Sequence, residues 1–188
     1  MELSIKSFSM SSLVYLGLGS NQGDRHALLE QAVALLVEKV GTVVARSSII
    51  ESEPWGFTSP NKFLNMVVSM ETSLSPSRLL TVTQRIERQL GRTHKSTPLP
   101  TSQTPLPANL PSNLPFNLPD NLPSSYSDRP IDIDILLYAD RLIHTPRLTV
   151  PHPLMLRREF VWRPLLEIAP DILWPPTAQP LRDVLNTL

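Results

Sequence analysis

Asp132 and Asp134 stand in the stretch RPIDIDILLY, with isoleucines at 131, 133 and 135 alternating around them. Alternation of this kind has the period of a β-strand. It predicts a strand from Ile131 to Tyr138 with the isoleucines on one face and both carboxylates on the other. Carboxylates at i and i+2 lie about 6.5–7 Å apart along the backbone. Left alone on a partly buried face they repel each other. A pair of magnesium ions bridging phosphate oxygens would remove that conflict, because magnesium takes one or two carboxylates and completes its shell with phosphates. On the pattern alone, a solvent-facing edge strand whose polar face happens to be acidic is an equal alternative.

The cations that such phosphates would need are grouped in two places. The stretch LTVPHPLMLRREF, with the arginine before it, brings Arg147, His152, Arg157 and Arg158 close together in the chain. Arginine forks match phosphate oxygens, and histidine can donate to one. In TQRIERQLGR, helical spacing turns Gln84, Glu87, Arg88 and Arg92 away from the apolar stripe, which for most helices means a solvated face. A third stretch, FLNMVV, puts Phe63 and Asn65 on one face of a strand. A ring beside an amide suits a flat, hydrogen-bonding heterocycle, although core packing is the plainer reading of Phe63. The loop GSNQGD lacks the lysine and the spacing of a phosphate loop and reads as a strand-to-helix turn.

These residues must be positioned by alternating elements. Val14–Leu18 reads as a buried strand. Asp24 caps a helix carrying Leu28, Ala32, Leu35 and Leu36, which Gly41 ends. Thr42–Ile50 and Phe63–Glu71 read as strands, with a loop of prolines and aromatics over 53–61 between them. Ser75-Pro76 opens a second helix, with Ser75 as the capping side chain and Leu79, Val82, Ile86 and Leu90 as its stripe. The tail from Leu154 to Leu188 reads as helical but interrupted at Pro164, Pro170 and Pro175-Pro176. Irregular alternation without a dinucleotide or phosphate-loop fingerprint favours an α+β fold.

Composition bounds the rest. In 188 residues, 41% hydrophobic and 18% charged, there is enough apolar surface for one well-packed domain. Seventeen basic residues balance seventeen acidic ones, so global charge gives no ground for a nucleic-acid or membrane partner. There is no cysteine, hence no disulfide or thiolate metal site. The first twelve residues read as a flexible tail without a signal peptide, and a cytoplasmic location is the default expectation.

One segment stands apart. NLPSNLPFNLPDNLP, within a proline-rich stretch over 96–125, repeats a tripeptide at a spacing of four. A helix would carry a proline every fourth residue at a cost of about 3 kcal/mol each, and is excluded. A polyproline helix has three residues per turn, so the leucines would scatter around it, and the segment contains no PxxP spacing. A low-complexity loop is the plain reading.

Taken in order, YLGLGSNQGDR, SEPWG, FLNMVVSMET, TQRIERQLGR, RPIDIDILLY and RLTVPHPLMLRREFVWRPLLEIAP resemble the 6-hydroxymethyl-7,8-dihydropterin pyrophosphokinase family. The resemblance implies a single α+β domain over 13–188, related to the ferredoxin-like arrangement, with an antiparallel sheet flanked by helices. It implies a transferase of folate biosynthesis that moves pyrophosphate from ATP to the pterin, releases AMP and uses two magnesium ions held by Asp132 and Asp134. It places Arg92 and Arg158 on the phosphates. Gln84, Glu87, Ile135, Arg147, Thr149 and His152 fall around ATP, and Ser52, Pro54, Trp55, Phe63, Asn65 and Phe160 around the pterin. Asn21 is similar to a family residue near a mobile lid, and 96–125 would enlarge that lid. The expected state is a monomer acting on small molecules.

This chain departs from the family pattern at His94 and Lys95, where a second arginine is usual two residues after Arg92. The usual Trp-Gly-Pro-Arg-Thr appears here as Tyr126-Ser127-Asp128-Arg129-Pro130. The competing readings are a non-catalytic pterin- or nucleotide-binding relative and an interaction protein working through its proline-rich segment.

Overall fold

A computed structural model describes residues 11–93 and 127–188; the proline-rich repeat, His94, Lys95, Tyr126 and most of the expected tail lie outside the described residues. Ser12, which the sequence assigns to that tail, already pairs with Thr72. The described chain runs β1 (Ser12–Ser20), α1 (Arg25–Lys39), β2 (Gly41–Arg46), β3 (Ile50–Ser52), β4 (Phe63–Thr72), α2 (Pro76–Gln89) and β5 (Asp132–Tyr138). After these come two short strands, β6 (Ile143–His144) and β7 (Thr149–Val150), a 3-10 turn over Met155–Arg157, and α3 (Glu159–Ile168). The chain closes with β8 (Leu173–Trp174), β9 (Gln179–Pro180) and α4 (Leu181–Leu185).

The main sheet is antiparallel, in the order β2-β4-β1-β5, with β3 also on β4. Because β2 and β3 pair with successive parts of β4, they form one broken edge strand. The sheet then has the βαββαβ connectivity and strand order of the ferredoxin-like arrangement. The sequence predicts this edge as one strand from Thr42 to Ile50. Ser47 breaks it: its N–H donates to the Val67 carbonyl, and its hydroxyl accepts from the Val67 N–H at 2.9 Å. A side chain here replaces a ladder carbonyl. Glu167 of α3 then accepts from both the N–H and the hydroxyl of Ser48.

Both faces of the sheet are covered. Val14, Leu16 and Leu18 of β1 and Leu64, Met66, Val68 and Met70 of β4 point toward α1 and α2. The intervening Val67 belongs to a second cluster with Leu136, Met155, Val161, Leu165 and Trp174, under α3 and α4. A register shift opposite Tyr15 and Leu16 puts an extra residue, Leu136, into β5. Leu136 and Leu137 therefore both join the second cluster, while Tyr138 returns to the first.

Asp24 caps α1 as expected, accepting from the Ala27 N–H at 3.0 Å. The buried stripe of α1 is Leu29, Ala32, Val33 and Leu36, rotated from the predicted one so that Leu28 and Leu35 lie at its margin. Gly41 turns the chain into β2 where an added Cβ would stand 2.0 Å from the Glu71 carbonyl oxygen, so no other residue fits. Ser75 occupies the N-cap of α2 but its side chain makes no capping bond, against expectation; Pro76 at the first turn sets the start. The stripe of α2 is as predicted at Leu79, Val82 and Ile86, with Leu90 partly buried at its end. Pro164 does not interrupt the tail: it lies inside α3, buried with Val161 and Leu165, and the packing of that face outweighs the missing hydrogen bond.

Candidate active site

The alternation of three adjacent strands assembles the site. On the face opposite α1 and α2, residue pairing runs Asp132–Gly19–Asn65 in one row and Asp134–Gly17–Val67 in the next. The two central positions are glycine, and this leaves the floor open. An added Cβ at Gly19 would come within 3.1 Å of Asn65 Oδ1, and one at Gly17 within 3.3 Å of the Leu136 side chain. The Gly-Leu-Gly spacing in β1 thus carries a site signal, because glycine weakens a strand unless something must approach it.

Around this floor stand Ser52, Trp55, Phe57 and Phe63 on one side, Asp132 and Asp134 on the other, and Arg158 and Phe160 from the start of α3. Asn65 donates to the Ser52 hydroxyl at 2.9 Å. Phe57 meets Phe63 edge to face, with ring centroids 6.2 Å apart. The Arg158 guanidinium lies 4.6 Å from the Trp55 ring centre and 6.0 Å from that of Phe160, and Arg129 lies 5.1 Å from that of Phe63. Aromatic faces and arginines therefore share one cleft.

The acidic side of the cleft is densely wired. Glu87 is only 2% exposed, contrary to the solvated face that its helical position suggests. Its carboxylate accepts from Arg92 Nη1 at 2.5 Å and from the Ile133 N–H at 2.9 Å, joining the end of α2 to the start of β5. Arg92 Nη1 also bonds Asp132 Oδ1, and Arg129 Nε stands 2.9 Å from Asp132 Oδ2. Burial alone would favour the protonated acid, but Arg129 and Arg92 hold the Asp132 carboxyl far below the usual range. Asp134 is more open, its side chain 35% exposed, with Arg158 Nη1 at 3.6 Å and His152 Nε2 at 3.8 Å. His152 Nδ1 accepts from the Leu154 N–H, so the proton of the neutral ring sits on Nε2, facing Asp134. Burial lowers the imidazole pKa, keeping that ring neutral.

The structure thus brings together Asp132, Asp134, Arg92, Glu87, His152 and Arg158 on one side and Ser52, Trp55, Phe63, Asn65 and Phe160 on the other. Pro54 neighbours Trp55 in the same loop. Ile135, expected around ATP, is 4% exposed within the core facing α1 and α2, so its backbone is the part that faces a ligand on the aspartate side. Arg147 is exposed at the turn between β6 and β7, Thr149 lies in β7, and Gln84 is half-buried on α2. Among the described residues none of these three makes a hydrogen bond or ion pair to the cleft, although β7 packs on β5. Gly17, Gly19 and Phe57 were not singled out by the sequence. Arg129 has no assigned role in the sequence reading, yet it reaches both Asp132 and the Phe63 ring.

The donor set suits magnesium. Two hard carboxylate oxygen donors project from one sheet face, and the outer one is open to the cleft. Among the described residues no group of three acidic or histidine side chains is placed to hold an ion, so phosphate oxygens and water would complete the shell.

A family profile described as 7,8-dihydro-6-hydroxymethylpterin-pyrophosphokinase matches residues 15–102 and 120–170. Proteins named 2-amino-4-hydroxy-6-hydroxymethyldihydropteridine pyrophosphokinase are similar along most of their length. That of Porphyromonas gingivalis is 43% identical, over 85% of this chain and 92% of the relative. That of Bacillus subtilis is 38% identical, over 87% and 81%. The fold is similar to a solved structure of Plasmodium falciparum HPPK-DHPS wild type with SDX-DHP, with a TM-score of 0.64 at 14% identity. That match covers 95% of this chain but 44% of the solved one. The aspartate strand, the glycine-floored cleft and the profile agree: the chain belongs to the 7,8-dihydro-6-hydroxymethylpterin-pyrophosphokinase family.

Proposed function

We infer that the cleft transfers pyrophosphate from ATP to 6-hydroxymethyl-7,8-dihydropterin, giving the pterin diphosphate and AMP in folate biosynthesis. The observation that carries this reading is the row Asp132–Gly19–Asn65, which puts an acidic phosphate-side group and a heterocycle-reading amide on one face across a bare glycine. Phe63, Phe160 and Trp55 supply faces for the flat pterin, and Asn65 with Ser52 reads its edge. Arg158, stacked on two aromatic rings beside Asp134, reaches both halves of the cleft.

The reaction forms a bond between the hydroxymethyl oxygen and the β-phosphorus of ATP and breaks the bond to the α-phosphate, with the hydroxyl proton passing to solvent. The protein has little covalent work in such a transfer; it must align the two oxygens and offset charge. Asp132 and Asp134 would hold magnesium, in the pair of ions that the sequence reading expects. When bound, magnesium neutralises charge on the triphosphate and eases deprotonation of the hydroxymethyl group. Arg92 and Arg129 keep Asp132 ionised. Arg158 is poised for phosphate charge, and His152 offers an N–H donor through Nε2.

The test is the variant with alanine at both 132 and 134. Its AMP production from ATP and pterin is expected to vanish across a magnesium titration. Turnover equal to that of the parent would refute the metal assignment. The chain is read as a monomer in the cytoplasm. In the described residues, no helix is long and apolar enough to cross a membrane.

A further inference from the structure

Outside the cleft, a connected polar group is centred on Asp128, which also takes a hydrogen bond from Ser59 of the aromatic loop. Its Oδ1 accepts from Asn21 Nδ2 at 2.6 Å, and its Oδ2 accepts from Asn61 Nδ2 at 2.7 Å. Asn21 is 2% exposed and fully used. Its other amide hydrogen goes to the Asn61 carbonyl at 3.2 Å, and its Oδ1 accepts from the Arg129 N–H at 2.8 Å. The Asn21 backbone N–H donates to the Arg129 carbonyl at 3.2 Å. Three segments meet here: the turn after β1, the far end of the aromatic loop 53–62, and the segment leading into β5.

Among the described residues Asp128 makes no hydrogen bond or ion pair to the rings or carboxylates of the cleft, yet its partners Asn61 and Asn21 lead there. Asn61 ends the loop that carries Trp55 and Phe57. Asn21 grips Arg129 by its N–H and its carbonyl, and the Arg129 side chain lies over Phe63 and beside Asp132. We propose that Asp128 is a positioning residue for the pterin half of the site, fixing the aromatic loop and Arg129 relative to each other through Asn61 and Asn21. The inference rests on the pyrophosphokinase reading and adds to it a determinant of pterin affinity outside the cleft itself.

Chemistry dictates the test. In Asp128→Asn the charge is lost, and one end of the new amide must present N–H groups to an Asn21 or Asn61 amide that is itself a donor. The expected outcome is a roughly tenfold rise in the pterin KM, the loss of about one charge-assisted hydrogen bond, with kcat and the ATP KM within about twofold of the parent. The paired variant Asn61→Asp with Asp128→Asn exchanges donor and acceptor and should bring the pterin KM most of the way back. Pterin affinity is also measured by titration with a non-hydrolysable ATP analogue and magnesium present. An Asp128→Asn protein with parental pterin affinity overturns the proposal, as does one in which kcat and both KM values worsen together without rescue by the exchange. If the parent makes no AMP but Asp128→Asn still weakens pterin binding, the transfer reading fails and the positioning role stands.

Discussion

Asp132 is held between two arginines while Asp134 is left open to the cleft, so two carboxylates of one motif have unequal tasks. Replacing Asp134 by asparagine keeps its shape and removes its charge. Turnover should fall roughly 10²–10³-fold, the scale of losing one charge-stabilising group in a preorganised site, while the melting temperature stays near the parent's; steady-state AMP formation and calorimetry check both. Glu87 has a different burden, because it is buried against Arg92 and accepts from the Ile133 N–H. Without Glu87 the Ile133 N–H loses its acceptor while Arg92 keeps Asp132, so Glu87→Ala should cost about 1–3 kcal/mol in urea unfolding. The sequence could not reveal this role. Helical spacing turns Glu87 away from the leucines, and only the arrival of β5, from far along the chain, covers that side of α2.

At the scale of elements, the strands were the most legible because period-2 alternation assigns faces directly. The isoleucines and aspartates of β5 separate as that pattern predicts. The break at Ser47 was not legible, since a side chain substituting for a ladder carbonyl leaves no mark on hydropathy. Nor was the continuity of α3 through Pro164, where tertiary burial overrides local propensity. The polar group around Asp128 links three such elements, and its pH response has a definite sign. Hydrogen bonds from Ser59, Asn61 and Asn21, with the charge of Arg129, outweigh the opposing effect of burial and lower the Asp128 pKa below the ordinary value. A depressed carboxyl stabilises the fold fully above its unfolded pKa of about 3.9, and that contribution is lost as pH falls through the folded value. Asp128→Asn should therefore narrow its stability gap from the parent below about pH 4, measured by thermal melts from pH 7 downward.

For the whole molecule, Arg92 and Asp132 meet in one cluster although the sequence separates them by the proline-rich segment. A boundary between domains there is incompatible with that contact. An added Cβ at Gly91 would stand 3.7 Å from Pro130, so the chain leaves and returns at neighbouring points. The family profile matches up to 102 and resumes at 120. Removing 103–119 about halves the connection, which changes closure entropy by only about 0.6 kcal/mol. That deletion should leave the melting temperature within a few degrees of the parent's. Steady-state kinetics on the same variant then decide whether the segment acts in turnover: a moved kcat or KM says that it does, and three unchanged constants say that it is a passenger. The central claim, pyrophosphoryl transfer, is tested most directly by the nucleotide product. Protein, ATP, magnesium and 6-hydroxymethyl-7,8-dihydropterin are incubated together and the nucleotides separated. AMP formed in step with pterin diphosphate is the predicted result; ADP with a pterin monophosphate, or unchanged ATP, would contradict it.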